Sequence, residues 1–250
     1  MKYTKSGTVA ASLCDTVPKL SVISAFQLTE DMVTEMMRSI RLDGFTVMDQ
    51  YGALWVFVQN QIEFLTPLAW NEPYAAECYI IPHNDIRLNV ETVFRGSNSE
   101  LAFFSELELC AVDLETHHIR RLSTIGVEPQ YTEDSAFEHK LQREKAPLDC
   151  TLVDTVTVRS SDIDYAHHTN NISYIRHIMN TYSIREIENT PVTKINIQFK
   201  GQTFEGDTLR IEKAALPGCD FFRVMKEESP AIECRVYRSG ERLCSIESQS

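Results

Sequence analysis

The sequence predicts an α+β fold in which one helix followed by several antiparallel strands occurs twice. One observation is an internal repeat: when residues 62–85 are laid over 197–220, an offset of 135, five positions are identical. They are Ile62/Ile197, Phe64/Phe199, Glu77/Glu212, Pro82/Pro217 and Asp85/Asp220. Both halves also show a helical apolar period followed by β-branched and aromatic runs. We therefore expect two related modules, residues 1–128 and 150–250, joined by a polar connection at 129–149.

The helix of the first module is predicted from apolar residues that recur every four positions, at Leu28, Met32, Met36 and Ile40. Thr29-Glu30-Asp31 is interpreted as its first turn, where acids offset the helix dipole, and Asp43-Gly44 as its end. The strands predicted after it are residues 54–58, 74–81, 86–94 and 101–112.

The second module follows the same plan. Asn170-Asn171 is a typical helix cap, and the apolar residues after it recur at helical spacing, at Ile172, Ile175, Met179 and Tyr182. The strands predicted next are residues 194–199, 208–215, 221–225 and 232–237. Turn residues such as Pro217-Gly218 separate these runs.

The composition is that of an ordinary globular protein, with 43% apolar and 24% charged residues in 250. No apolar run approaches the ~20 residues of a membrane span, and residues 1–7 lack the apolar core of a secretory signal. Seven scattered cysteines without a Cys-x-x-Cys pattern predict reduced thiols and neither a disulfide framework nor a zinc site. We expect a cytoplasmic protein without a membrane span.

The net charge of −12 argues against a nucleic-acid partner, because phosphate binding needs concentrated Lys and Arg. An acidic partner would need a local basic patch on this surface. The candidates for such a patch are Arg120-Arg121, Lys140, Arg143 and Lys145.

The strongest functional signal is the segment 161–174, which places two carboxylates and two imidazoles directly before the second helix: Asp162, Asp164, His167 and His168. A helix N-terminus offers unpaired N–H groups and a partial positive charge that can hold a carbonyl oxygen or an oxyanion. Acids and imidazoles beside it can add proton transfer or nucleophilic attack. The alternative is an ordinary capping loop. A metal site is not expected, because adjacent His residues rarely converge on one ion.

The same segment resembles the signature of the plant and bacterial acyl-acyl carrier protein thioesterases, a hotdog-fold family with the pattern Asp-x-Asn-x-His-Val-Asn-Asn followed by a Tyr. On this register Asp164 matches the catalytic Asp and His168 the catalytic His. The family's active-site Asn falls on Ala166.

A second stretch, residues 197–207, resembles the family's strand in which an aromatic residue is followed by a catalytic Glu and then by Gly-Asp. Phe199 and Gly206-Asp207 fit this pattern. Gln202 stands at the position of the Glu, and Thr203 stands where plant members carry a Cys.

The resemblance implies a tandem, or double, hotdog fold, in which each module is an antiparallel sheet wrapped around a long helix. It implies one active site per chain, in the second module, because residues 22–27 before the first predicted helix contain no ionisable side chain. The first module would then contribute acyl binding without catalytic residues. Trp55, Phe57, Phe64 and Trp70 are candidates for lining an acyl tunnel, with plain core packing as the alternative.

The activity implied is hydrolysis of a fatty acyl-acyl carrier protein thioester, which releases free fatty acid and ends chain elongation. Asp164, His168 and Gln202 are the catalytic candidates; Asn170, Asn171, Trp55 and Phe64 are the substrate-binding ones. No cofactor and no metal is implied, and the chain would act as a monomer or homodimer. The alternatives are a catalytically weak or inert acyl-binding protein and an acyl-coenzyme A thioesterase, since Ala166 and Gln202 depart from the family pattern.

Overall fold

The computed structural model describes residues 1–137, 141 and 143–240. Within these residues the chain forms four α-helices and eleven β-strands. The helices are α1 Val22–Ser39, α2 Gly44–Tyr51, α3 Asn171–Met179 and α4 Ile184–Asn189. The strands are β1 Tyr3–Thr8, β2 Ala53–Phe64, β3 Pro73–Ile81, β4 Leu88–Arg95, β5 Leu101–Asp113, β6 Ile119–Arg120, β7 Thr151–Thr157, β8 Val192–Phe199, β9 Thr208–Leu216, β10 Cys219–Lys226 and β11 Ser229–Arg238.

All of these strands join one antiparallel sheet, in the order β1-β3-β4-β5-β2-β8-β11-β10-β9-β7, with β6 paired to β5. The two halves of the chain meet at the pair β2 and β8, where Ile62 lies opposite Ile195. Counted outward from this pair, the strand order of one half mirrors that of the other. The predicted offset of 135 carries the bounds of β3 onto those of β9.

The inner face of the sheet forms the core, and α1 and α3 lie against it and against each other. Strand β2 bulges between Phe57 and Gln59, which moves the side chains after the bulge to the opposite face. Ile62 and Ile195 are fully buried on the inner face. The outer face of the same two strands carries buried amides, including Gln59 and Asn196, whose side chains are joined by a hydrogen bond of 2.8 Å.

The first helix begins earlier than the sequence predicts. Ser21 is its N-cap and accepts a hydrogen bond of 3.0 Å from the Ser24 N–H, so residues 22–27 form the first turns of α1. The interpretation of Thr29-Glu30-Asp31 as the first turn is therefore wrong: these residues lie in the middle of the helix. Asp43, interpreted as a helix end, is the N-cap of α2.

Several elements are not predicted from the sequence. The strands β1 and β7 lie at the two ends of the sheet and are mostly exposed, so they lack the alternation that marks a half-buried strand. The helices α2 and α4 are only 8 and 6 residues long. All eight predicted strands overlap observed ones, β2–β5 and β8–β11.

The predicted polar connection packs across the outer face of the sheet where it is described. The Glu91 carboxylate accepts hydrogen bonds from the Ser135 hydroxyl and the Ala136 N–H, at 2.6 and 3.0 Å. The Arg235 and Arg223 side chains each donate to a carbonyl of the connection, those of Lys145 and Pro147, at 2.8 Å. The connection is thus held at both ends.

None of the helices in the described ranges combines the length and the apolar content that a bilayer span requires. Six cysteines fall in these ranges, and all six are free thiols. Cys244 lies outside the described residues.

Candidate active site

A tight turn holds Asp164 and His168 together. Ile163 and Thr169 pair as an antiparallel bridge, and the Asp164 N–H donates to the His168 carbonyl at 2.9 Å. His167 has a left-handed backbone with φ of 61°, a conformation that a turn of this kind needs. Hydrogen bonds also reach the Asp164 side chain, whose Oδ1 accepts from the N–H groups of Ala166 and His168 at 2.8 and 3.3 Å. The carboxylate therefore shapes the turn that carries it.

The turn ends at the N-terminus of α3. Asn170 is the N-cap, and its Oδ1 accepts a hydrogen bond of 2.8 Å from the Ile172 N–H. Asn171 is the first helical residue. Among the described residues, none accepts a hydrogen bond from the Asn171 N–H. This donor, at the positive end of the helix, is free to hold an oxygen atom of a ligand.

Asp162 is a buried residue that holds the segment before α3 in place. It is 5% exposed, its Oδ2 accepts from the Arg159 N–H at 2.9 Å, and its carbonyl accepts from the Asn170 N–H at 2.7 Å. Its Oδ1 lies 3.6 Å from the Arg176 guanidinium and 3.5 Å from His177 Nε2. Desolvation lowers the pKa of His177, and the neighbouring Asp162 charge only partly offsets this effect. Through these contacts Asp162 orients the loop.

The second predicted segment lies against the first. Thr203 is fully buried; its carbonyl accepts from the Thr169 N–H at 2.9 Å, and its hydroxyl lies 2.6 Å from that of Thr169 and 2.7 Å from that of Tyr174. The His168 ring lies 5.2 Å from the Phe204 ring, centroid to centroid. Gln202 precedes Thr203 in the loop after β8, and its side chain is exposed. The structure thus brings the segments of Asp164, His168 and Gln202 together.

The first half of the chain also reaches this loop. The Tyr165 ring stacks on the Phe45 ring of α2 at 5.1 Å, and both side chains are largely exposed, at 75% and 62%. From α1, the Glu30 carboxyl interacts electrostatically with Asp164 and Tyr165. Burial, with the nearby Asp31 and Asp164 charges, raises the pKa of Glu30 to about 8.

Sequence reasoning missed Glu30 because it placed the helix start too late. The signal that would have found it is an acid within an apolar helical stripe: Phe26 precedes it by four residues, and Val33 follows it by three. Both of these neighbours are buried, at 1% and 3% exposure.

The two aromatic residues predicted to bind substrate, Trp55 and Phe64, lie far apart. The Trp55 Nε1 donates a hydrogen bond of 2.7 Å to the Leu42 carbonyl. Leu42 directly precedes the N-cap of α2, the helix that contains Phe45. Phe64 packs against Phe103, with a centroid distance of 6.0 Å, at the other end of β2. The nine residue steps from Trp55 to Phe64 span roughly 30 Å of strand. Trp70 is 59% exposed and borders a surface cavity of about 330 Å³ away from the loop.

Comparisons with known proteins agree with the resemblance in the motif. Residues 145–249 match the family model of the acyl-ACP thioesterase C-terminal domain. An acyl-ACP thioesterase from Bacteroides thetaiotaomicron is similar in structure, with a TM-score of 0.87 and 16% identity over 95% of this chain and 97% of that one. The 12:0-ACP thioesterase from Umbellularia californica gives a TM-score of 0.83 and 15% identity over 95% and 96%.

No curated protein matches the chain by sequence. The motif, the family model and the fold nevertheless point the same way. Residues 145–249 match the model of the acyl-ACP thioesterase C-terminal domain, and the chain has the fold of the solved acyl-ACP thioesterases along nearly its whole length.

Proposed function

We propose that the protein hydrolyses the thioester of fatty acyl-acyl carrier protein, releasing free fatty acid and ending chain elongation. The observation that carries this proposal is the Asp164–His168 turn at the N-terminus of α3, inside the segment that matches the family model. A carboxylate, an imidazole and a free helix N–H are the groups that acyl transfer from a thioester needs.

In the mechanism we favour, the Asn171 N–H holds the thioester carbonyl oxygen as it becomes an oxyanion. Either a water molecule or the Asp164 carboxylate attacks the carbonyl carbon, and His168 transfers the proton or polarises the carbonyl. In the water route a C–O bond to water forms, the C–S bond breaks, and the thiolate takes up the proton released by water. In the Asp164 route the C–O bond forms to the carboxylate as the C–S bond breaks; water then hydrolyses the resulting anhydride, which frees the fatty acid, regenerates Asp164 and supplies the proton of the thiol. A thiolate leaves without strong acid help because thiols have low pKa values.

Ala166 and Gln202, the two departures from the family pattern, determine which residues are left to transfer protons. Ala166 lies exposed at the tip of the turn, and its side chain holds neither a water nor a substrate oxygen. Gln202 can hydrogen-bond a water but cannot accept its proton. The proton chemistry therefore falls to Asp164 and His168. A binding protein without turnover remains the competing function.

The domain organisation is part of the proposal. We assign residues 1–128 and 150–250 to two hotdog modules and 129–149 to their connection. The mirrored strand order on either side of β2 and β8, with a helix against the inner face of the sheet in each half, α1 of 18 residues and α3 of 9, supports this division. The last ten residues of the second module, 241–250, lie outside the described residues. A cytoplasmic location is proposed on the free thiols of the described cysteines.

Three of the basic residues predicted to dock the acidic carrier protein are paired within the chain. Arg120, Arg121 and Arg143 lie against Asp113, Asp85 and Glu108. Lys145 contributes its backbone carbonyl to a hydrogen bond with Arg235, and its ammonium forms no ion pair within the described residues. Lys140 lies outside the described residues.

Thiol release from acyl-acyl carrier protein and from acyl-coenzyme A by the purified chain tests the proposal. We expect faster release from the carrier protein, and a loss of about 10²–10⁴-fold in Asp164→Asn and in His168→Asn. His167→Asn is the matched control, because Asn tolerates the left-handed backbone at this exposed position and should leave the rate unchanged. No release by the wild type, or no loss in the first two variants, would reject this function or this site.

A further inference from the structure

The turn that carries Asp164 and His168 presents an aromatic ring to the other half of the chain. Tyr165, at the tip of this turn, stacks on Phe45 of α2 with a centroid distance of 5.1 Å and an interplanar angle of 28°. The Tyr165 hydroxyl also lies close to Gly44, the first residue of α2, since a Cβ at Gly44 would be 3.3 Å from the hydroxyl oxygen. The glycine therefore leaves room for the ring at the start of the helix.

Burial does not account for this contact. Tyr165 is 75% exposed and Phe45 is 62% exposed, so most of each ring remains in water. The pair gains little from the hydrophobic effect, and stacking by itself contributes modestly to stability. Removal of either ring should therefore leave the protein folded, and the main consequence of the stack is that it joins two segments far apart in the sequence.

On one side of the stack, α2 is a firmly held support. The Leu42 carbonyl before the helix accepts a hydrogen bond of 2.7 Å from Trp55 Nε1. At the other end, the Tyr51 carbonyl accepts one of 2.6 Å from the Arg120 guanidinium. Val47, between these ends, is fully buried. Phe45 thus projects from an element that is fixed to the sheet.

On the other side, the tip of the turn extends into solvent. The hydrogen bond from the Asp164 N–H to the His168 carbonyl closes the turn, and Ala166 and His167 at its tip are exposed. A segment with few buried contacts opens easily. Catalytic groups, however, need to be held within roughly 0.5 Å of their reactive geometry. A contact that holds the tip is therefore a requirement for the chemistry.

We propose that the stack of Tyr165 on Phe45 fixes the Asp164–His168 turn in its reactive position. Tyr165 is then a positioning residue in the second half, and Phe45 supports it from the first. Neither ring makes or breaks a bond; both act through the turn by limiting its motion against α2. This inference rests on the proposed hydrolysis and deepens it, because it gives the first half a part in the chemistry in addition to acyl binding.

The first test needs no activity. Hydrogen exchange of the Asp164 amide, followed by NMR, reports opening of the turn, because this N–H is the donor that closes it. Exchange should become about 2- to 10-fold faster in Phe45→Ala, as expected for the loss of one aromatic pair. Phe45→Tyr keeps a ring at this position and should preserve the wild-type exchange rate.

Met48→Ala is the matched control for this test. Met48 lies on α2 three residues after Phe45 and is 47% exposed. Its substitution should leave exchange of the Asp164 amide unchanged. Wild-type exchange in Phe45→Ala, or equal acceleration in Phe45→Ala and Met48→Ala, would overturn the inference.

The second test separates kcat from KM in thiol release. In Phe45→Ala and in Tyr165→Ala, kcat should fall by about 10-fold, because the reactive groups are misplaced. KM should change by less than about twofold, because substrate binding is retained. The variant with both substitutions should be no slower than the slower single variant, since each removes the same contact. Tyr165→Phe, which keeps the ring, should retain the wild-type kcat.

The kinetic outcomes also distinguish this inference from its alternatives. A raised KM with unchanged kcat would mean that the rings bind substrate, and losses that multiply in the double variant would mean that they act separately. Either result would overturn the inference while leaving the proposed hydrolysis intact. A wild type without thioesterase activity would refute the hydrolysis, and hydrogen exchange would still decide whether the stack holds the turn.

Discussion

The Asp164 carboxylate is both a catalytic candidate and a hydrogen-bond acceptor within the turn. One oxygen holds the N–H groups of Ala166 and His168, so the charge on this residue also stabilises the turn that positions the imidazole. Asn keeps an acceptor oxygen at this position but cannot serve as a base, whereas Ala keeps neither. The two substitutions therefore separate chemistry from loop shape.

We expect Asp164→Ala to lower the free energy of unfolding by about 1–2 kcal/mol more than Asp164→Asn does, because it leaves two backbone donors without their acceptor. Urea denaturation of both variants measures the difference. Both should lose thiol release. Equal stability of the two variants would contradict the role of the carboxylate in shaping the turn.

Glu30 gives the pH dependence of stability a predictable sign. Its pKa is raised from 4.5 to about 8 on folding, so between these values the folded state keeps a proton that the unfolded chain releases. Its contribution is fully present below pH 4.5 and is lost as the pH rises to about 8.

Glu30→Gln should remove this slope and make the protein more stable than wild type at pH 8, by on the order of a few kcal/mol. Urea denaturation at several pH values measures it. Glu35→Gln provides the comparison with the opposite sign, since the lowered pKa of Glu35 gives a stabilisation that is lost toward acid pH. An unchanged slope in Glu30→Gln would mean that this carboxyl is not desolvated.

At the scale of elements, the N-terminus of α3 matters most, because its capping side chain also positions the Asn171 N–H at the candidate site. Asn170 caps the helix, and Thr203 ties the turn to the loop after β8, so three segments meet at one buried hydroxyl cluster. The same capping chemistry occurs at α4, where the Ser183 hydroxyl accepts from the Glu186 N–H at 3.3 Å. The side-chain hydrogen bonds of that second cap are all with Glu186, within α4.

We expect Asn170→Ala and Ser183→Ala each to cost about 1 kcal/mol of unfolding free energy, the usual cost of a lost N-cap. Only Asn170→Ala should also slow thiol release, because only that cap positions the Asn171 N–H. Thermal unfolding and the release assay on both variants test this. If the two variants lost activity equally, the loss would reflect general destabilisation.

At the scale of the whole molecule, all strands of the described residues belong to one continuous sheet, so we expect the two halves to unfold together. Ile62 and Ile195 face each other in the two central strands and are both fully buried. The chain has two Trp residues, Trp55 and Trp70, both in the first half, which makes Trp fluorescence a local reporter of that half.

Ile195→Ala, a substitution in the second half, should shift the Trp fluorescence transition by about 2–5 kcal/mol of unfolding free energy, the cost of a cavity in a packed core. Circular dichroism should give the same shift. Val153→Ala on β7, where the side chain is 45% exposed, is the control and should cost less than about 0.5 kcal/mol. Fluorescence that does not respond to Ile195→Ala would show that the halves unfold separately.

The sequence predicted those elements whose formation depends on residues close together in the chain. The strands β3 and β9 are half-buried and alternate, and the start of α3 follows from the capping side chain of Asn170. The edge strands β1 and β7 and the true start of α1 were missed, because exposed polar strands and a serine cap before an apolar turn have no distinctive periodicity.

By itself the sequence determined that a carboxylate and an imidazole stand one turn before the second long helix, and that the order of elements repeats, since spacing along the chain is a property of neighbours in sequence. Only the tertiary structure decided that Phe45 of α2 stacks on Tyr165, that Thr203 ties the turn to the loop after β8, and that Trp55 and Phe64 lie at opposite ends of one strand. These relations join residues far apart in the chain, and they exist only once the sheet brings the two helices together.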